Sequence, residues 1–159
     1  AAGTVLLDGV ASRAEVEGFL AGWTPGGREA PTDTELVEVP VRYDGADLHR
    51  VATLWGVDVD EVIARHTGIE FVSTFCGFAP GFAYLGGLPT QWAVPRLEAP
   101  RARVPAGSVA LADTWCGVYP TPSPGGWLLL GTTRLRTWDE SRPHPALLAP
   151  GVRVRFVAT

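Results

Sequence analysis

Residues 75–127 read FCGFAPGFAYLGGLPTQWAVPRLEAPRARVPAGSVALADTWCGVYPTPSPGGW, and this stretch decides the fold of the chain. It holds eight Gly and eight Pro, yet large apolar and aromatic side chains recur throughout it. A disordered linker lacks such side chains, because it has no core to fill. The backbone therefore bends sharply and often while its side chains stay packed. That combination is typical of a small, tightly turned β-barrel or a pocket wall.

The composition is that of a globular protein and excludes several kinds of chemistry. The 159 residues are 46% hydrophobic and 19% charged, with a formal net charge of −4. No block of like charge appears, so we expect neither a nucleic acid nor a membrane as partner. All 13 basic residues are Arg, which excludes a Schiff-base or P-loop lysine. The chain holds no Met, which indicates that it begins inside a longer reading frame.

Short strands bounded by turns fill most of the chain, and helical patterns occur only in its first half. Helical spacing predicts helices over residues 12–23, 44–56 and 58–67, with Ser12 and Asp58 as N-caps. Strands are predicted at residues 4–7, 35–43, 70–75, 108–112, 117–119, 127–130, 134–138 and 152–157.

The predicted organisation is one main domain with an appendage. Residues 1–33 end in the linker TPGGREAPTD and are interpreted as the tail of an upstream unit. Residues 34–159 are predicted to form a mainly β domain with a few helices, a closed antiparallel barrel with a helical lid.

No familiar catalytic motif is present, and the three histidines His49, His66 and His144 lack ligand spacing, so we expect no metal site. His66 ends a predicted helix, where it is either favoured by the helix dipole or acts as a base at the barrel mouth. Ser108 is either a nucleophile or, more simply, a turn hydroxyl that bonds the local backbone. The two cysteines are interpreted as reduced thiols in a cytoplasmic protein.

Two Pro-Arg pairs suggest an anion site. Pro fixes its own φ and extends the residue before it, so Arg96 and Arg101 lie on a stiff loop. Guanidinium groups held in this way suit a carboxylate or a phosphate, although capping of backbone carbonyls is an equal alternative. The turn at 123–127, SPGGW, brings backbone amides close to a ligand or is a plain hairpin turn. Predicted to bind substrate are Arg96, Arg101, Ser123, Gly125 and Gly126.

Several motifs together resemble the B subunit of bacterial 5-oxoprolinase. This family is also known as Kip-type kinase inhibitors or allophanate hydrolase subunit 1, and related modules form the carboxyl-transfer part of urea carboxylase. The resemblance covers about residues 36–157. It rests on VPVRYDGADL, EVIARHTG, GFAPGFAYL, the two PR pairs, VPAGSVA, SPGGW and PGVRVRF, all in order. Two positions depart from the pattern: Cys76 replaces an aliphatic residue, and Thr132 replaces an Arg.

The resemblance implies a cyclophilin-like barrel, preceded in residues 1–33 by the remnant of a small N-terminal domain. It implies a hydrolase subunit that acts with two partners, a C-type subunit (allophanate hydrolase subunit 2) and an A-type subunit. The assembled enzyme would use ATP to open 5-oxoproline, a cyclic amide, to glutamate, with no cofactor on this chain. Alternatives are an inhibitor that binds a sensor histidine kinase, and a carboxyl-transfer module. Candidates for catalysis or the pocket wall are His66, Tyr84, Ser108 and Tyr119.

Overall fold

The computed structural model describes residues 8–22 and 36–159, and the chain divides into two compact units, Ala1–Thr32 and Asp33–Thr159. In the first unit, helix α1 (Arg13–Ala21) begins after Ser12, whose hydroxyl accepts a hydrogen bond from the backbone N–H of Glu15. The N-cap prediction is therefore confirmed. The predicted strand at 4–7 and the linker at 24–33 lie outside the described residues.

The second unit is a nearly closed barrel of seven strands, which confirms the predicted fold class. The strand order is β1-β9-β2-β3-β6-β5-β8, and β4 and β7 form a separate antiparallel ribbon. The strands are β1 (Leu36–Val41), β2 (Glu70–Cys76), β3 (Ala83–Gly86), β4 (Arg101–Val104), β5 (Ser108–Ala112), β6 (Trp115–Val118), β7 (Ser123–Gly125), β8 (Leu128–Thr132) and β9 (Arg153–Ala158).

Neighbouring strands in the barrel are antiparallel with one exception. β1 pairs with β9 in parallel, in the register Val39 with Phe156. β1 and β8 are the two edge strands of the sheet. Arg42, directly after β1, forms an isolated antiparallel bridge with Thr132 of β8. The Thr132 hydroxyl also donates to Asp44 Oδ1 at 3.0 Å. These contacts bring the two edges of the sheet together and nearly close the barrel.

Two helices, α2 (Leu48–Trp55) and α3 (Val59–Gly68), pack on the barrel core. Asp58 caps α3 as predicted, because its carboxylate accepts from Glu61 N at 2.8 Å. α2 begins later than its apolar pattern suggests, since residues 45–47 first pair with β8. A side chain at Gly45 would overlap the carbonyl oxygen of Leu129. That close approach leaves room only for glycine and delays the helix.

The predicted strand at 134–138 is not a strand. Its backbone forms isolated hydrogen bonds instead of a strand ladder. Leu135 N–H donates to Thr133 Oγ1, and the carbonyl of Thr137 accepts from Leu147 N–H. The segment was predicted as one of several short extended pieces between turns, but only Trp138 forms a bridge, with Ala146. None of the described helices is long and apolar enough to cross a membrane.

Candidate functional site

An aromatic cavity of about 200 Å³ opens between β3, β6 and the turn at β7. Most of its wall is aromatic, from Phe78, Phe82, Tyr84, Trp115, Tyr119 and Trp127. Arg96 and Asp113 add one cation and one carboxylate at the same cavity. An apolar concave surface with a few converging polar groups is the usual form of a small-molecule site.

The wall is held rigid by ring-to-ring packing around Phe82. This buried ring meets Tyr84, Tyr119 and Trp127 edge-on, with centroids 5.1 to 5.4 Å apart. Tyr84 in turn stacks on Phe75 at 4.3 Å. Such pairs add stability beyond the area they bury, so the cavity is preformed.

Tyr119 is the most enclosed polar group of the wall, at 2% exposure. Its hydroxyl packs on the backbone of Gly125, where a Cβ atom would overlap the Tyr119 oxygen. Burial raises the pKa of Tyr119 above its ordinary value, and the Arg96 guanidinium acts in the opposite direction. The phenol is therefore neutral at physiological pH and available as a hydrogen-bond donor to a ligand.

Phe78 stands at the rim of the cavity in a strained backbone conformation. Its φ is 70°, a region that non-glycine residues seldom adopt, and 59% of the residue is exposed. Its ring lies edge-on to Phe82 and Tyr119. Strain of this kind persists only where the surrounding structure fixes it, and it clusters at ligand sites.

The two predicted guanidinium groups have different surroundings. Arg101 Nη2 donates to both carboxylate oxygens of Asp47 at 2.8 Å, and Nη1 donates to the carbonyl of Trp127 at 3.3 Å. Asp47 is 5% exposed and also accepts from Leu129 N–H at 2.8 Å. Arg101 thus neutralises a buried carboxylate and ties β4 to the start of α2 and to β8.

Arg96 has no such partner. Within residues 36–159 its side chain forms neither a hydrogen bond nor an ion pair, and it is exposed at the cavity. The loop that carries it is nevertheless fixed, because Leu97 N–H donates to the carbonyl of Gly126 at 2.7 Å. A free guanidinium on a fixed loop is suited to an anionic ligand.

Comparison with known proteins gives the family. The sequence-family model described as the carboxyltransferase domain, subdomain C and D, matches residues 2–148. The chain belongs to this carboxyltransferase domain family. It is 44% identical over 141 residues to the 5-oxoprolinase B subunit of Escherichia coli O157:H7, an alignment that covers 87% of this chain and 65% of that protein. To the 5-oxoprolinase B subunit of Bacillus subtilis (strain 168) it is 45% identical over 125 residues, covering 77% and 52%. The chain thus spans between half and two thirds of these relatives.

Solved structures with the same fold are also found. A conserved uncharacterized protein from Pyrococcus horikoshii superposes with a TM-score of 0.74 at 44% identity, over 79% of this chain and 59% of that one. The urea amidolyase of K. lactis superposes with a TM-score of 0.70 at 18% identity, over 79% and 10%. At that identity the second match shows the fold alone.

Of the other predicted site residues of this carboxyltransferase-family chain, only one lines the aromatic cavity. Gly125 lines the cavity, and Gly126 holds the Arg96 loop. The Ser123 hydroxyl donates to the carbonyl of Thr121 at 3.0 Å. Ser108 is buried in β5 and does not line the aromatic cavity. The sequence did not predict Asp113 as a cavity residue. It lies at the β5–β6 turn with a φ of 53°, and the only signal for it was an Asp between two short strands.

His66 lies in the barrel core, away from the aromatic cavity. Its Nδ1 is 2.7 Å from the Tyr43 hydroxyl, and its Nε2 is 3.4 Å from Cys116 Sγ. Its ring packs on Phe71 and Phe156. Burial lowers the pKa of His66 to about 3, so the imidazole is neutral. One nitrogen then donates and the other accepts, which satisfies both contacts. A catalytic role for His66 stays a prediction.

Proposed function

We propose that the chain is the barrel of a 5-oxoprolinase B subunit, in which the aromatic cavity contributes the site for 5-oxoproline. The observation that carries this is the unpartnered guanidinium of Arg96 at a preformed aromatic cavity, in a chain 44% identical to such a subunit. The substrate joins a small flat ring to a carboxylate. Its ring would pack on Tyr84 and Trp115, and its carboxylate would pair with Arg96.

The neutral phenol of Tyr119 gives the proposed site a third contact. It lies beside Arg96 and would donate a hydrogen bond to the lactam or to an acyl-phosphate oxygen. Arg101 would act indirectly, because its bonds to Asp47 hold the strand ribbon against the barrel. No residue of this chain is assigned as the nucleophile.

The proposed activity belongs to an assembly. We propose as partners a C-type subunit (allophanate hydrolase subunit 2) and an A-type subunit, with ATP consumed by the assembled enzyme and no cofactor held by this chain. A cytoplasmic location goes with this assembly, and the free thiols of Cys76 and Cys116 support it.

Carboxyl transfer is the second candidate, favoured by the family to which the chain belongs. A carboxylated donor also presents an anion to Arg96, so the same cavity suits both reactions. The two differ in what the assembled enzyme releases. Ring opening yields glutamate, whereas carboxyl transfer consumes a carboxylated biotin carrier.

The test measures binding and turnover with matched variants. Binding of 5-oxoproline is followed by NMR through the indole signals of Trp115 and Trp127, and turnover as glutamate released by the complex with the A-type and C-type partners. Arg96→Gln removes a charge-assisted bond worth about 1.5–3 kcal/mol, so binding or turnover falls about tenfold to a hundredfold. Arg103→Gln, an exposed arginine of β4, is the control and changes neither. Unaltered binding and turnover in Arg96→Gln would contradict the assignment.

A further inference from the structure

Asp113 supplies the carboxylate at the aromatic cavity, and the proposed function gives it no role. Its φ is 53°, and it shares this rare backbone conformation with Phe78. These are the two non-glycine residues with a positive φ among residues 8–22 and 36–159, and both line the same cavity. A hairpin turn requires only a residue that tolerates a positive φ, and Gly or Asn would serve equally well. Asp adds a negative charge that the turn itself does not need.

The backbone of Asp113 is fixed against the loop that carries Arg96. Asp113 N–H donates to the carbonyl of Val94 at 2.6 Å, and Val94 N–H donates to the carbonyl of Asp113 at 3.1 Å. Val94 is buried, so this bridge is part of the core. Arg96 follows two residues after Val94, and its loop is held again where Leu97 bonds to Gly126. The two charged residues are therefore anchored at one cavity through the same bridge.

Arg96 and Asp113 do not pair with each other. Within residues 36–159 the Asp113 carboxylate forms neither a hydrogen bond nor an ion pair, as is also the case for the Arg96 guanidinium. A carboxylate only accepts hydrogen bonds, and a guanidinium only donates them. A ligand that contacts both must therefore present an anionic group to Arg96 and a donor, such as an N–H, to Asp113.

We propose that Asp113 makes the aromatic cavity specific for a lactam, because its carboxylate accepts a hydrogen bond from the ring N–H. This inference rests on the proposed function and deepens it. 5-Oxoproline would then be bound at three points: its carboxylate by Arg96, its carbonyl oxygen by the Tyr119 phenol, and its N–H by Asp113. A lactone of the same shape has a ring oxygen in place of the N–H. The lone pairs of that oxygen would face the carboxylate with no proton between them, so the site would reject the lactone.

The test compares 5-oxoproline with the γ-lactone of α-hydroxyglutarate, by NMR titration of the whole chain through the indole signals of Trp115 and Trp127. The wild type should bind the lactam about tenfold more tightly, the low end for a charge-assisted hydrogen bond, because Asp113 is exposed. Asp113→Asn can offer either an acceptor or a donor, so the ratio of the two Kd values should fall to within about twofold of unity. Asn tolerates a positive φ, and Asp113→Gly, which removes the contact without strain, is a second variant with the same expected ratio.

The ratio separates a contact to the ring N–H from a structural role, since a distorted turn would weaken both ligands together and leave the ratio as it is. Arg96→Gln should likewise weaken both ligands by the same factor, because both carry the carboxylate. Glu98→Gln is the matched control for loss of a carboxylate. Glu98 is exposed on the Arg96 loop but does not line the cavity, so this variant should change neither Kd.

Two results overturn the role of Asp113 while the proposed function stands, provided that 5-oxoproline binds and Arg96→Gln weakens it. One is equal binding of the lactam and the lactone by the wild type. The other is a preference for the lactam that persists in both Asp113 variants, or that Glu98→Gln abolishes as well. If neither ligand binds up to about 10 mM, the proposed function and the role of Asp113 are both overturned.

Discussion

Stability below neutral pH should depend on His66, and the size of the effect follows from its burial. The folded protein holds this imidazole neutral, with a pKa of about 3 against an ordinary value of 6.5. Above pH 6.5 both the folded and the unfolded chain carry neutral His66, and stability is unaffected. As the pH falls from 6.5 towards 3, the unfolded chain binds a proton that the folded chain refuses. Stability is therefore lost across this window.

The magnitude is worked from the difference in pKa. Each unit is worth 1.36 kcal/mol, so the whole window costs about 5 kcal/mol. Between pH 7.5 and pH 5.0, where few carboxylates titrate, the loss from His66 alone is about 2 kcal/mol. That is a large share of the stability of a small domain.

The assay is urea unfolding followed by tryptophan fluorescence at pH 7.5, 6.5, 5.5 and 5.0. The wild-type chain should lose about 2 kcal/mol over this range, and His66→Gln, which cannot be protonated, should lose little. His144→Gln is the control, because His144 is exposed and should leave the pH dependence as in the wild type. Equal losses in the wild type and His66→Gln would refute the reasoning, whatever the stability of the variant at pH 7.5.

The barrel was predictable because its signals are local. Alternating apolar residues in β9 and the N-cap at Asp58 are read from a few neighbouring residues. The parallel pairing of β1 with β9 was not predictable, since it joins segments more than a hundred residues apart. The segment at 134–138 has the alternation of a strand but finds no continuous partner.

The candidate site shows the same limit in one pair of residues. Arg96 and Arg101 each follow a proline, and that shared dipeptide does not show which of the two has a buried partner. What separates them is Asp47, 54 residues before Arg101, which pairs with it. His66 is a similar case: its helix-terminal position was correct, but its partners Tyr43 and Cys116 are 23 and 50 residues away.

Two further predictions concern the support of the aromatic cavity. Gly125→Ala should displace the Tyr119 phenol, because the new methyl group would overlap its oxygen, and 5-oxoproline binding measured by NMR should weaken although Arg96 is intact; unchanged binding would show that Tyr119 is not a contact. Arg101→Gln should lower the free energy of unfolding by about 3 kcal/mol in urea, since it leaves a buried Asp47 carboxylate without its cation. Breaking a buried ion pair costs about 3–5 kcal/mol of stability, and the lower value is used here because 27% of the Arg101 side chain is exposed. Arg96→Gln, with the same change of charge and no partner to lose, should leave stability within about 0.5 kcal/mol. If the two variants are equally stable, the Asp47 bridge contributes little to stability, and the structural role given to Arg101 is wrong.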